Sequence, residues 1–254
     1  MEKNKTVFGL FIASLVLLII GRVYFPILLF VALAPLFAIL HIDHKAKLGS
    51  FDFIALILLI AANLAAGILL ELDLLDAIVY GSLMWLATVV YKFTNKHSRN
   101  NLGLLTLIIY WLSLEYVALK LNPALSHYLL GASFDYVSFI SWSNYSGLTG
   151  ITAWLLAANV LVYISLFKDG GILEGQIRWL TISYSIILIA LPIIISSFIE
   201  LSPEVITPEI AQRFYSEKPV DLTPYNTNGE IFGRSSAWVA VLIIIYAFVK
   251  RKTK

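Results

Sequence analysis

Long apolar stretches, each broken by a few charged or turn-forming residues, recur along the whole chain at positions 6–20, 24–40, 51–70, 76–93, 102–119, 148–167, 179–199 and 236–249. A hydrocarbon core about 30 Å thick needs roughly 20 helical residues, and most of these stretches approach that length. The first two are short and are separated only by Gly21-Arg22-Val23, so a tight hairpin of short helices is expected there. Gly21-Arg22 is also a poor small-residue cleavage site, and no cleavable leader is expected. In the third stretch, Ala61-Ala62-Asn63-Leu64-Ala65-Ala66-Gly67 sets small residues four apart, which allows a neighbouring helix to approach closely. The pattern predicts an all-α fold: one transmembrane domain over residues 1–254, a polytopic bundle of about eight helices.

Charge between the stretches orients this bundle. If the N-terminus is cytoplasmic, only Arg22, Lys120, Arg213, Lys218 and Arg234 of the 18 Lys and Arg residues fall outside. The positive-inside rule favours that arrangement, with both termini cytoplasmic and an even number of spans. Two outer segments result. Residues 120–147 form an aromatic interfacial segment carrying Tyr128, Phe134, Tyr136, Phe139, Trp142 and Tyr145. Residues 200–233 form a periplasmic loop holding Pro203, Pro208, Pro219 and Pro224. Within it Thr207-Pro208-Glu209 is a good helix start, with a cap, a first-turn proline and an acid at the positive end of the dipole. Ile210 and Phe214 would give that helix an apolar edge to lay on the membrane surface.

Composition agrees: 59% of the residues are hydrophobic and 13% charged, with a mean hydropathy of +0.85, whereas a soluble domain carries roughly a quarter charged residues. Little remains from which to build a soluble catalytic domain. A net charge of +2 is too small to point to nucleic acid as a partner. The absence of cysteine excludes disulfides, thiolate metal sites and a cysteine nucleophile.

Candidate chemistry is sparse. Away from the ends of the spans Glu115 is the one acid, five residues before Lys120; it reads either as an acid reaching the outer interface or as a polar anchor lining a cleft for a lipid headgroup. Asn63 and Asn159 lie deeper, where an interhelical hydrogen bond is the simplest role. Asp135, Phe139 and Trp142 stand at i, i+4 and i+7, one face of a helix, and with Tyr145 read as interface anchors or as the lining of a lipid entrance. His41-Ile42-Asp43-His44 follows no recurrent ligand spacing, so no metal is expected. Ser165-Leu166-Phe167-Lys168 matches a serine–lysine pattern at the cytoplasmic end of a span, where topology already explains the lysine. Gly131-Ala132-Ser133-Phe134 resembles an intramembrane serine-protease turn but no span supplies a histidine base. No catalytic residue and no cofactor are expected.

From the first outer segment into the sixth span the chain reads Phe139-Ile140-Ser141-Trp142-Ser143-Asn144-Tyr145-Ser146-Gly147-Leu148-Thr149-Gly150-Ile151-Thr152-Ala153-Trp154, followed by Asn159. This resembles the membrane part of the apolipoprotein N-acyltransferases, especially of the Bacteroidota type, with their Trp, Tyr-Thr-Gly-like turn, second Gly, Trp and Asn. Pro26 and Ala34-Pro35-Leu36 are similar to that family's early proline-bearing helix, and Trp111-Leu112-Ser113-Leu114-Glu115-Tyr116 to its Trp-x-x-x-Glu-Tyr stretch. Phe232-Gly233-Arg234-Ser235-Ser236-Ala237-Trp238 is similar to the start of its last helix. The resemblance implies a bacterial inner-membrane protein that meets phospholipid acyl donors and lipoproteins. Family members carry a nitrilase-like domain with a Glu-Lys-Cys triad between the seventh and eighth spans. Only residues 200–233 stand there in this chain, which has no cysteine, so none of the triad carries over.

The leading expectation is therefore a non-catalytic relative: a lipid-facing scaffold or subunit, with membrane phospholipid and other membrane or periplasmic proteins as partners and Glu115, Asp135, Phe139, Trp142, Tyr145 and Asn159 as the candidate lipid-entrance or docking residues. The alternative is the membrane half of a split lipoprotein N-acyltransferase whose cysteine-bearing subunit is a separate chain. A small-solute transporter is a third reading, disfavoured by the scarcity of polar groups in the spans.

Overall fold

The computed structural model describes residues 2–46, 51–98, 103–134, 143–168, 177–198, 206–217 and 229–252. Among them there is no strand; the elements are α1 (Glu2–Val23), α2 (Leu29–Ala32), α3 (Ala34–Ala46), α4 (Phe51–Leu69), α5 (Leu74–Ser98), α6 (Leu104–Leu121), α7 (Ser143–Leu166), α8 (Trp179–Phe198), α9 (Pro208–Glu217) and α10 (Ile231–Lys252). Short 3-10 turns occupy Pro26–Leu28, Pro123–Tyr128 and Leu130–Phe134. Five helical stretches are long and apolar enough to cross a membrane, Lys5–Val23, Leu74–Asn95, Leu104–Leu121, Tyr145–Leu166 and Ile231–Lys250. Shorter apolar stretches run through Pro26–Ile42, Phe53–Leu69 and Trp179–Ile194. The chain is thus an all-helical, multi-pass membrane protein.

Consecutive long helices run antiparallel. At one end, Arg22 in the last turn of α1 reaches Asn63 of α4, Tyr80 near the start of α5 reaches Glu115 of α6, and Lys120 at the end of α6 pairs with Glu230 just before α10. We call this the polar end. At the other, His41 of α3 lies 6.0 Å from Tyr163 of α7 and Phe93 of α5 lies 5.3 Å from Phe248 of α10. Helix α7 is the central post: 78% of its apolar window is buried, against 17% for α10. The faces of α8 and α10 stay apolar and exposed, with Trp179 at 72% and Trp238 at 71%, as lipid-facing helices require.

Two prolines cost the helices backbone hydrogen bonds, one of them at a break and one inside a continuous helix, and α7 compensates for both. The expected second span, 24–40, is divided into a 3-10 turn, α2 and α3, because Pro35 has no N–H and its ring would meet the carbonyl four residues back. The side chain of Asn159 inserts into the gap. Its Oδ1 accepts from Leu33 N at 2.7 Å and Ala34 N at 3.0 Å, and its Nδ2 donates to Leu29 O at 2.6 Å. In α8, Pro192 cannot donate to Leu188 O, and the indole Nε1 of Trp154 donates to that carbonyl instead, at 2.7 Å. Freed backbone groups at membrane depth are tolerated only when re-satisfied in this way. The expected interhelical bond of Asn159 is present. Its target is backbone rather than another side chain.

Helix α7 is itself broken at Gly147, whose φ of 67° and ψ of −178° interrupt the first turn. That region is essentially closed to residues with a Cβ. Gly147→Ala is expected to destabilise the protein by roughly 1–3 kcal/mol, read as a lower midpoint of thermal unfolding in detergent; a midpoint equal to wild type would refute the strain. Gly131 permits another close approach, since a Cβ there would stand 2.4 Å from the Leu148 carbonyl oxygen of α7.

The short helix foreseen at Thr207-Pro208-Glu209 exists as α9, and Ile210 N donates to the Thr207 hydroxyl at 3.4 Å. Its protein-facing side is the one that carries Ala211. Ala211 is 1% exposed while Ile210 is 39% exposed, and the helix docks on the 3-10 turn at Pro123–Tyr128. Ser126 Oγ donates to Pro208 O at 2.9 Å, and His127 Nε2 lies 3.1 Å from Gln212 Oε1. The outer segment thus supplies a protein surface for α9 to rest on.

Candidate functional site

The densest polar constellation lies just inside the polar end, built from α1, α4, α5, α6 and the turns after α6. Glu115 is fully buried. Its Oε1 accepts from the Tyr80 hydroxyl at 2.5 Å and from Trp111 Nε1 at 3.2 Å, the latter one helical turn earlier on the same face. Its Oε2 is buried with no hydrogen-bond partner among the described residues; Thr152 of α7 is a further polar neighbour of the carboxyl group. The Thr152 hydroxyl also accepts from Gly131 N at 3.2 Å. Neither role open to Glu115 in the sequence is seen: the side chain is buried in protein and lines neither of the two cavities described below.

Across the Tyr80 ring sits Arg22, 7% exposed. Its guanidinium donates to Asn63 Oδ1, to Tyr128 O, and to Leu129 O at 3.2 Å. The rings of Tyr80 and Tyr128 lie 5.7 and 6.0 Å from its Cζ, within the range of a cation–π contact. Asn63 is held in turn by donation to Leu59 O at 2.7 Å, and the Tyr128 hydroxyl donates to Asp73 O at 2.6 Å. Tyr80 therefore links a cation to an acid, presenting its ring to one and its hydroxyl to the other. Sequence reading placed Arg22 in an outer turn. It occupies the last turn of α1 and points into protein, because the 3-10 turns after α6 bring carbonyls over it.

Two cavities adjoin this end. One, of about 320 Å³, is lined by Arg22, Ala66, His127, Tyr128, Ser133 and Glu209 among others. In it the Thr207 hydroxyl bonded to Glu209 holds that carboxyl below the usual carboxylate range. The other, of about 350 Å³, lies between α7, α8 and α10 and is lined by Gly150, Ala153, Trp154, Ala157, Pro192 and Phe232. None of these described lining residues is titratable.

Of the six residues singled out in the sequence, the three described ones, Glu115, Tyr145 and Asn159, occupy separate places. Glu115 belongs to the buried network and Asn159 to the repair of the α2–α3 break. Tyr145 is 44% exposed in the first turn of α7. Asp135, Phe139 and Trp142 lie outside the described residues. Arg22, Tyr80 and Tyr128 were missed as site residues. An arginine between two apolar stretches was the available signal for the first, while nothing local marks Tyr80 or Tyr128. Among the described residues, no three His, Asp or Glu side chains gather as a metal-binding set. Comparison with protein-family models, curated proteins and solved structures gave no match.

Proposed function

We propose that this chain is a bacterial inner-membrane protein crossing the bilayer eight times, with both ends cytoplasmic and the polar end periplasmic. It works as a non-catalytic, lipid-facing scaffold or subunit related to the membrane part of the apolipoprotein N-acyltransferases. The observation that carries this reading is the apolar cleft between α7, α8 and α10. At about 350 Å³ it falls within the size range of small-molecule sites, roughly 300–1,000 Å³, and it opens among lipid-exposed faces. Gly150, Trp154 and Phe232, three residues of the stretches that carry the family resemblance, line it. Its lining offers apolar contact for an acyl chain and no nucleophile, acid or base to act on one. As a subunit, the protein is expected to bring a companion polypeptide with it on extraction in a mild detergent; a solitary, monodisperse particle would overturn the scaffold reading.

The same convergence favours a second reading, the membrane half of a split lipoprotein N-acyltransferase with the thiol on another chain. Deleting the gene should then leave lipoproteins diacylated with a free α-amino group. Unchanged N-terminal acylation by mass spectrometry would eliminate it.

A further inference from the structure

We propose that α9 is a lid. It lifts as a unit from the turn at Pro123–Tyr128 while the bundle beneath stays folded, and in lifting it opens the cavity that Pro208 and Glu209 help to wall. A helix of ten residues is marginal on its own in water, so α9 owes its shape to what it rests on. That footing is narrow. Within 206–216 the buried side chains are Ile206, Pro208 and Ala211, and the others are half-buried or exposed. Polar contacts add to the hold: the Ser126 hydroxyl donates to Pro208 O at 2.9 Å, His127 Nε2 lies 3.1 Å from Gln212 Oε1, and the Lys120 ammonium stands 5.0 Å from the centre of the Tyr215 ring. Water can replace such contacts at the polar end, and segments with few buried apolar contacts open well before the whole fold does.

The rest of the cavity is built differently. Arg22, Ala66 and Tyr128 line it from α1, α4 and the first turn after α6. The Arg22 guanidinium ties those walls together through Asn63 Oδ1, Tyr128 O and Leu129 O. None of these bonds involves α9, so all of them survive its departure. The cavity therefore has fixed inner walls and one detachable outer one. This gating goes beyond the scaffold reading above and holds whichever partner or lipid the bundle meets.

The absence of cysteine makes a single introduced thiol a clean reporter of lifting. Four full-length variants are compared in detergent by their rate of alkylation with iodoacetamide, followed by mass spectrometry and scaled to each variant's rate in denaturant. Ser126→Cys sits under α9 and Ala66→Cys in the cavity wall, 0% and 1% exposed. Ala77→Cys, 0% exposed at the start of α5 and facing Gly67 of α4, reports opening of the bundle itself. Leu121→Cys, 81% exposed, sets the unprotected rate. The expected order places Ser126→Cys and Ala66→Cys about tenfold or more above Ala77→Cys and well below Leu121→Cys. Adding Gln212→Ala and Tyr215→Leu, which loosen α9 and leave the Lys120–Glu230 pair intact, is expected to speed both about tenfold or more without changing Ala77→Cys. Should that combination fail to fold, Gln212→Ala alone serves, with a smaller rise in the same two sites. Protection of Ser126→Cys or Ala66→Cys equal to that of Ala77→Cys would overturn the lid, as would a rate equal to that of Leu121→Cys. A rise that spares Ala66→Cys, or that Ala77→Cys shares, would overturn it equally.

Discussion

Asn159→Ala is expected to be the most damaging single substitution in the bundle, destabilising it by roughly 3–5 kcal/mol. Three of its bonds replace hydrogen bonds that the α2–α3 backbone cannot make for itself. Alanine leaves the N–H groups of Leu33 and Ala34 and the carbonyl of Leu29 buried without partners. Each such group costs about 1–3 kcal/mol, and water cannot relieve them at membrane depth. For a chain of this size the change corresponds to a fall of about 10 °C in the unfolding midpoint, measurable by intrinsic fluorescence in detergent. Tyr145→Ala, on an exposed side chain of the same helix, is the control and should stay within about 0.5 kcal/mol of wild type. If the two variants unfold together, the insertion of Asn159 is not what holds the break.

Glu115→Leu is expected to cost about 2–5 kcal/mol, because it strands the Tyr80 hydroxyl and the Trp111 indole N–H, both bonded to Oε1. The loss comes from the abandoned donors and not from the missing acid. Two companions separate these causes. Glu115→Gln retains an acceptor oxygen and should recover most of the stability. Tyr80→Phe combined with Glu115→Leu removes donor and acceptor together, and the pair should be less unstable than the sum of the single changes by about 1 kcal/mol or more. Strict additivity in that cycle would show that Tyr80 and Glu115 do not depend on one another.

Helix positions were legible because membrane-depth apolarity is a local property: each described long helix coincides with an apolar stretch of the sequence. The interruption at 24–34 was not, although Pro26 and Pro35 were in view. A proline announces a lost hydrogen bond, but only the folded chain shows that Asn159, more than a hundred residues away, supplies the substitute. The same limit applies to the polar network. Trp111 and Glu115 share a helix face at i and i+4 and could be paired by spacing. Arg22, Tyr80 and Tyr128 meet only after α1, α5 and the turn following α6 assemble. Counting Arg22 as a loop charge put it at the same end as Lys120 and gave it the wrong surroundings. For α9, cap and proline signals set the start, whereas the face it buries depends on the turn at Pro123–Tyr128.

The repairs made by Asn159 and Trp154 have a mechanical corollary. Sliding α3 along α7, or straightening α8 at Pro192, would tear side-chain amide or indole bonds from backbone groups with no replacement nearby, so the segments behave as splinted joints. The Asn159 splint is buried and ties α2 and the start of α3 to α7. The Trp154 splint sits at the rim of the apolar cleft, and an occupant there would press on the indole that steadies α8. Displacement on loading is therefore expected to concentrate in α8, which packs chiefly on α7, rather than in α10, which α5, α6 and α7 all hold.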